Sequence, residues 1–214
     1  MKKVLLFVLA SIFALFFCGC KKSVNYLNYI SEKRSNIYLY LDDEVEIKIH
    51  LSERESPYST DGIKGDMSDF CEIFVRLPRN YDEVNISVCG IEGQMNYKAV
   101  ENCYYLSQSG GNIEGDKATV TLTYGGESKE YSALSVLYDG VISPEEAVKC
   151  VIDYNGELFA SLTQKDIFLA EIFVRLLYDD GCYYYVGVCD RNKKISAFLV
   201  DGERGNIIAT KELG

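Results

Sequence analysis

The pattern of apolar and polar positions changes character four times along the chain. Val4 to Phe17 is an unbroken apolar run with a single Ser, opened by Met1-Lys2-Lys3 and closed by Cys18-Gly19-Cys20. A basic start, an apolar centre and small residues at the end describe a secretory signal, so residues 1–19 are left out of fold reasoning. As a membrane span the run is short: Val4 to Cys20 is at the lower limit for crossing a hydrocarbon core of about 30 Å, and it ends in Gly and two Cys where a span would continue. Lys21 to Asn36 is polar and mixed in charge. It reads as a tether reaching roughly 50 Å if extended, or as one short helical turn that sets Val24, Leu27, Tyr29 and Ile30 against the body.

From Ile37 the period becomes two. Ile37, Leu39 and Leu41 alternate with Tyr38 and Tyr40, and Val45 to Leu51 is a half-buried strand by its alternation. Ser52 to Asp69 breaks the pattern and reads as a long loop, a length that is uncommon inside a compact domain unless the loop has a role or is disordered. Strands resume at Cys71–Leu77, stopped by Pro78, at Val84–Val88 and within Tyr97–Leu106. Ala118–Tyr124 and Lys129–Leu137 flank Gly125-Gly126 and predict a hairpin, because Gly reaches the positive φ of such turns. Seven or so short strands with turns between them predict an immunoglobulin-like β-sandwich over 37–141, although the Cys–Trp–Cys hallmark is absent because the chain has no Trp.

At Ile142 the pattern changes to a helical period. Ser143-Pro144-Glu145-Glu146 has the form of a capping box, with Ser at the N-cap, Pro at the first helical position and Glu at the third. Ala147, Val148, Val151, Tyr154 and Leu158 follow at helical spacing, with Gly156 as an interruption. Glu171–Leu177, Cys182–Cys189, Lys194–Val200 and the stretch from Asn206 then predict strands, separated by the turns Asp179-Asp180-Gly181, Arg191-Asn192-Lys193 and Asp201–Gly205. The fold class expected is therefore α+β, mainly β: residues 1–19 a signal, 20–36 a tether, 37–141 a β-sandwich, and 142–214 a small domain with a helix laid on an antiparallel sheet.

Two resemblances attach to these residues. Gly19 followed by Cys20 resembles the lipobox of bacterial lipoproteins, with Phe17 and Cys18 departing from the usual Leu and Ala or Ser. It implies cleavage before Cys20, lipidation of Cys20 (palmitate among the acyl chains), and a location on the extracytoplasmic face of the cell membrane. The 142–212 stretch resembles the PepSY domain through Ser143, Glu145, Glu146 and Ala147, through Tyr184-Tyr185-Val186-Gly187-Val188, and through Asp201, Gly205, Ile207 and Ile208. Glu157 to Ala170 is longer than the family's usual link and leaves room for a second helix. This resemblance implies an association with envelope peptidases, by binding or restraint, and brings no catalytic residues.

Composition narrows the partners. The full chain carries a net charge of −10, and losing Lys2 and Lys3 with the signal takes it to −12. With no basic stripe, this excludes nucleic acid as a partner. It also favours a body that stands off anionic headgroups, touching the membrane only through the N-terminal lipid. Cys71, Cys89, Cys103, Cys150, Cys182 and Cys189 remain in the mature chain. An extracytoplasmic place permits disulfides, yet several of these lie in apolar strand patterns, where free Cys acts as a small hydrophobe, and mostly free, buried thiols are expected. No CxxC pair and no neighbouring His point to zinc.

The chemistry-bearing residues are few. His50, the sole histidine, shares the polar parity of its strand with Glu46 and Lys48, so a solvated position is expected. HExxH, Walker and GxGxxG patterns are absent, as is a nucleophile elbow, so no enzyme activity, cofactor or metal is expected. Asp61, Asp66 and Asp69 share one Gly-containing loop, and acidic loops of this kind are usually solvated rather than calcium sites. Tyr183 and Tyr185 flank Tyr184 and present rings on one face of a strand, a residue type enriched in binding hot spots. Glu72–Leu77 recurs as Glu171–Leu176 in identical sequence, read as coincidence between two amphipathic strands. Together these predict a non-enzymatic, membrane-anchored module that binds an envelope protein or peptidase, with Asp61, Asp66, Asp69, Tyr183 and Tyr185 as binding candidates. The alternative is a solute- or glycan-binding surface lipoprotein that uses the 52–69 loop.

Overall fold

In the computed structural model, which describes residues 24–214, two hydrophobic cores are threaded on one continuous sheet. The expected signal, residues 1–19, and Cys20 lie outside the described residues. No helix among the described residues is long and apolar enough to cross a membrane.

The chain enters through a 3-10 turn at Tyr26–Tyr29, capped by the Asn25 side chain, which accepts from Leu27 N–H. Strand β1 (Ile30–Leu41) follows at once. The second part of the stretch expected as a tether, Ile30 to Asn36, is thus strand. Its charges do not push it into water, because Glu32 and Arg34 find charged partners on the sheet, while Ile30 and Ile37 enter a core. Antiparallel β2 (Glu46–Glu55) pairs along most of β1, with a register slip between Arg34 and Asn36. Next comes β3 (Met67–Arg76). The loop expected over 52–69 is therefore shorter: its two ends are the paired ends of β2 and β3, and only 56–66 lies between them.

Six more strands complete the first unit: β4 (Val84–Val88), β5 (Ile91–Gln94), β6 (Asn96–Lys98), β7 (Cys103–Ser109), β8 (Lys117–Tyr124) and β9 (Glu127–Ser135). The order β1-β2-β3-β7-β6 makes one side and β9-β8-β4-β5 the other. A sandwich keeps two such sheets apart, but here the ladders run from one to the other. Leu39 and Tyr38 of β1 pair with Leu134 and Ser135 of β9. At the far side β5 and β6 are separated by Met95 alone, so one bent segment pairs first with β4 and then with β7. The sheet curls nearly into a barrel. Alternation fills it: Ile47, Ile49, Ile73, Val75, Val84, Val120 and Leu122 point inward and are fully buried, each contributing about 1.5–3 kcal/mol by leaving water. Gly125 and Gly126, at φ +60° and +83°, form the β8–β9 turn as the sequence predicts.

The second unit begins with α1 (Pro144–Tyr154), which has the expected capping box: the Ser143 hydroxyl accepts from Glu146 N–H, and the Glu146 carboxylate accepts from Ser143 N–H. Asn155 ends α1 and caps a short second helix, α2 (Gly156–Ser161), in the lengthened link. After the small hairpin β10 (Thr163–Gln164) and β11 (Ile167–Phe168), four antiparallel strands follow: β12 (Ala170–Tyr178), β13 (Cys182–Asp190), β14 (Ile195–Asp201) and β15 (Ile207–Leu213). Ala147, Val148 and Val151 of α1 pack on Ile172, Val174, Tyr184, Val186 and Phe198. β1 joins this sheet as a fifth strand, parallel to β12 through Ile30–Arg34. A boundary at residue 142 therefore divides the chain but not the sheet, since β1 lies in both units.

The six cysteines among the described residues are free; Cys71, Cys103, Cys182 and Cys189 are buried, whereas Cys89 is exposed at the β4–β5 turn.

Candidate functional site

The polar side chains gather on the outer face of the strand row β12-β1-β2-β3-β7, the face opposite Ile47, Ile49, Ile73, Val75, Ile172 and Val174. Strand parity puts them there. Phe173 and Arg175 alternate with the core residues Ile172, Val174 and Leu176, and Glu72 and Phe74 alternate with Ile73 and Val75. The two identical hexapeptides occupy β3 and β12, on either side of the β1–β2 hairpin. They run in the same direction, because β12 is parallel to β1 while β2 is antiparallel to both β1 and β3. Each thus contributes a Glu, a Phe and an Arg to the same outer face.

Two linked charge clusters lie on this face. In the first, Arg175 grips Glu32 with two hydrogen bonds, Nε to Oε1 at 2.7 Å and Nη2 to Oε2 at 2.5 Å. The Tyr58 hydroxyl donates to Glu32 Oε2 at 2.8 Å and accepts from Arg175 at 2.9 Å. Burial, and then the neighbouring Glu32, push the Tyr58 hydroxyl up to about 12. Burial works against the charge on Arg175, but Glu32 outweighs it and raises the guanidinium above its ordinary value. In the second cluster, Glu72 Oε1 accepts from Tyr105 at 2.9 Å, and Oε2 lies 3.6 Å from Arg34 and 3.9 Å from His50 Nδ1. At 3.9 Å the His50 contact is too long for a hydrogen bond. His50, then Tyr105 and Arg34, hold Glu72 down to about 2 against its burial.

His50 is not in the solvated position its parity implies. Its side chain is 13 % exposed, the Phe74 ring lies 5.1 Å away, and burial depresses its basicity. The outer face is covered by its own aromatic residues, so an outward position is not a wet one. Arg54 sits 3.1 Å above the Phe70 ring centre and 5.0 Å from that of Tyr58, while Lys98 stands 3.6 Å from that of Tyr105. Beside them a groove of about 220 Å³ is lined by Glu46, Lys48, His50, Phe74, Arg76 and Cys103. Its thiol is not activated: burial and Glu101, 3.8 Å from Cys103 Sγ, both raise its pKa.

The residues expected to bind divide between this face and elsewhere. Tyr185 lies directly across from Arg175 on the ladder and joins the face; Tyr183 lies two pairs further along, across from Leu177 and Asp201. Tyr184 points to the core and donates its hydroxyl to the Ile142 carbonyl at 2.7 Å. Asp61, Asp66 and Asp69 do not converge. Asp61 accepts from Ile63 N–H and the Ser59 hydroxyl within its own loop, Asp66 stands exposed at the loop's end, and Asp69 is a β3 residue paired with Glu53. Among the described residues no group of three or more His, Cys, Asp and Glu is placed to hold a metal ion. The charged residues that carry the face, Glu32, Arg34, Arg54, Glu72 and Arg175, are not among the candidates that the sequence offers. The one signal that points to two of them is the repeated Glu-Ile-Phe-Val-Arg-Leu.

Compared with known proteins, the chain matches no family model, no curated protein and no solved structure.

Proposed function

We propose that this chain is a lipid-anchored, extracytoplasmic binding protein that engages another envelope protein through the arginine- and tyrosine-rich face of β12-β1-β2-β3. The observation that carries the reading is the composition and rigidity of that face. Arg175, Arg54, Tyr58 and Tyr185 lie together on paired strands and the loop beside them, and these are residue types that dominate binding energy at protein interfaces. Their hydrogen bonds and ring stacking hold the side chains in place before a partner arrives, which reduces the ordering cost of association. Anchoring rests on the Gly19-Cys20 lipobox resemblance, and the mature charge of −12 favours a basic partner surface over an acidic one.

α1 lying across antiparallel β12–β14 supports a PepSY-like reading of 142–214, with β1 as an additional parallel strand and β10–β11 as an insertion. On that reading the partner is a peptidase that the protein binds or restrains, without catalysis of its own. The immunoglobulin-like reading of 37–141 keeps its support in strand number and alternation, while the β1–β9 ladder favours a closing barrel. The solute- or glycan-binding alternative moves from the 52–69 loop, which is folded down onto the sheet, to the groove beside Phe74.

The test is affinity capture from envelope extracts, with the anchored chain as bait beside an Arg54→Ala/Tyr185→Ala variant. A basic-surfaced envelope protein retained by the parent and lost from a variant of unchanged melting temperature supports the reading. Equal retention by both places the interface elsewhere.

A further inference from the structure

The 56–66 segment leaves the β2–β3 hairpin and crosses the start of β1 to reach β12 and β13. It is held there mainly by two buried carboxylates. Glu55, 2 % exposed, accepts from Ser59 N–H at 3.0 Å and Gly65 N–H at 2.6 Å. Glu171, 0 % exposed, accepts from Gly62 N–H at 2.8 Å, and its second oxygen has no hydrogen-bond partner. Gly62 is pressed onto the β13 end so closely that a Cβ there would lie 2.6 Å from Arg191 N. A fully buried carboxylate with an unpaired oxygen, such as Glu171, is costly as an anion.

We propose that residues 56–66 form a pH-responsive strap, closed when Glu171 holds a proton and loosened when that proton is released to solvent. The groups that face Glu171 offer no counter-charge. Ser31 of β1 lies beside Glu171 with its hydroxyl donating to the Ile172 carbonyl at 3.4 Å, the strap contributes the Asp61 backbone, and β13 contributes Cys189, with Asp190 next to it. Lys64, the strap's own lysine, turns instead to the Asn28 carbonyl at 3.1 Å. Burial, and to a lesser extent Glu55, raise the pKa of Glu171, in keeping with a proton taken up on closure. A carboxylate whose folded value is raised lends stability below the unfolded value, and that stability is lost as pH rises through the folded value, so acid closes the strap and alkali loosens it. Closure matters for the outer face because Tyr58, which bridges Glu32 and Arg175, is a strap residue. The strap's response is independent of the partner proposed above and is read without one.

The experiment is amide hydrogen exchange on the whole chain at about pH 5 and about pH 8, with each rate normalised to its intrinsic exchange rate. Protection of the Ser59, Gly62 and Gly65 amides is expected to fall about tenfold for each unit by which the Glu171 pKa differs between the closed and open strap, while Val120 and Leu122 in β8 stay unchanged. Glu171→Gln keeps an acceptor for Gly62 but has no charge to bury, so its protection should stay high at both pH values. Glu55→Gln removes a smaller contribution and should reduce the response below the parent's, which preserves the test if the first variant fails to fold. Equal protection in the parent at both pH values, or a fall in both variants as large as in the parent, overturns the proposal.

Discussion

Glu32 of β1 and Arg175 of β12 are joined by two hydrogen bonds although 143 positions separate them in the chain. Their strands run parallel, and this pairing attaches the first described strand to the last four. The bond is asymmetric. Glu32's side chain is 9 % exposed and Arg175's is 33 %. Removing the arginine strands a buried carboxylate, whereas removing the glutamate leaves a guanidinium that can reach water. Breaking a buried pair costs about 3–5 kcal/mol, and Arg175's partial exposure reduces that to about 2–3 for Arg175→Met. Glu32→Gln should cost less. Urea unfolding of both variants tests the order, and a larger loss for Glu32→Gln would contradict it.

Glu72 sets the acid limit of the same face. Its folded value near 2 lies below the ordinary carboxylate value of 4.5. For a depressed acid, the stabilisation is complete above the unfolded value and is lost as pH falls through the folded one. Stability should therefore decline between about pH 4.5 and about pH 2, and Glu72→Gln should remove that part of the slope. A variant whose acid unfolding parallels the parent's would show that His50, Tyr105 and Arg34 do not hold this carboxylate as the geometry indicates.

Gly62 and Gly90 separate steric fit from backbone strain. Both have left-handed backbone, φ +79° and +80°. A methyl group added at Gly90 would meet nothing within 4 Å, whereas one added at Gly62 would lie 2.6 Å from the backbone at the end of β13. Gly90→Ala should cost about 1–2 kcal/mol from conformation alone. Gly62→Ala adds a backbone clash, should cost about 1–3 kcal/mol more, and should raise exchange at Ser59 and Gly65. Equal losses at the two sites would mean that the strap is not seated on β13.

Cys20, outside the described residues, is tested by metabolic labelling with an alkyne fatty acid. The parent should incorporate label and sediment with membranes. Cys20→Ser should do neither, and label retained by Cys20→Ser would remove the anchor from the proposal.

The legibility of the fold in the sequence varies from element to element. Strands with strict alternation, such as Val84–Val88 and Lys117–Tyr124, can be read directly, and so can the α1 start, because Ser143 and Glu146 carry a local hydrogen-bond pattern. Ile91–Gln94 escapes notice, since Ile-Glu-Gly-Gln is too short to show a period. Ile30–Asn36 looks like a tether because its charges seem solvent-bound when their partners, Arg175 and Glu72, lie far along the chain. His50 misleads for a related reason: parity tells which face a side chain takes, not whether Phe74 covers that face. Sandwich and barrel differ in whether β9 returns to β1 and whether the β5–β6 segment passes from β4 to β7, long-range pairings that leave no local pattern.

The most direct test of the binding face is photocrosslinking in living cells, with a crosslinking amino acid placed at Tyr185 on the arginine and tyrosine face and, separately, at Thr121 on β8. One defined envelope-protein adduct from position 185 and none from position 121 is the predicted result. Adducts of equal yield from both positions, or an adduct from 121 alone, would contradict the assignment of this face as the site of binding.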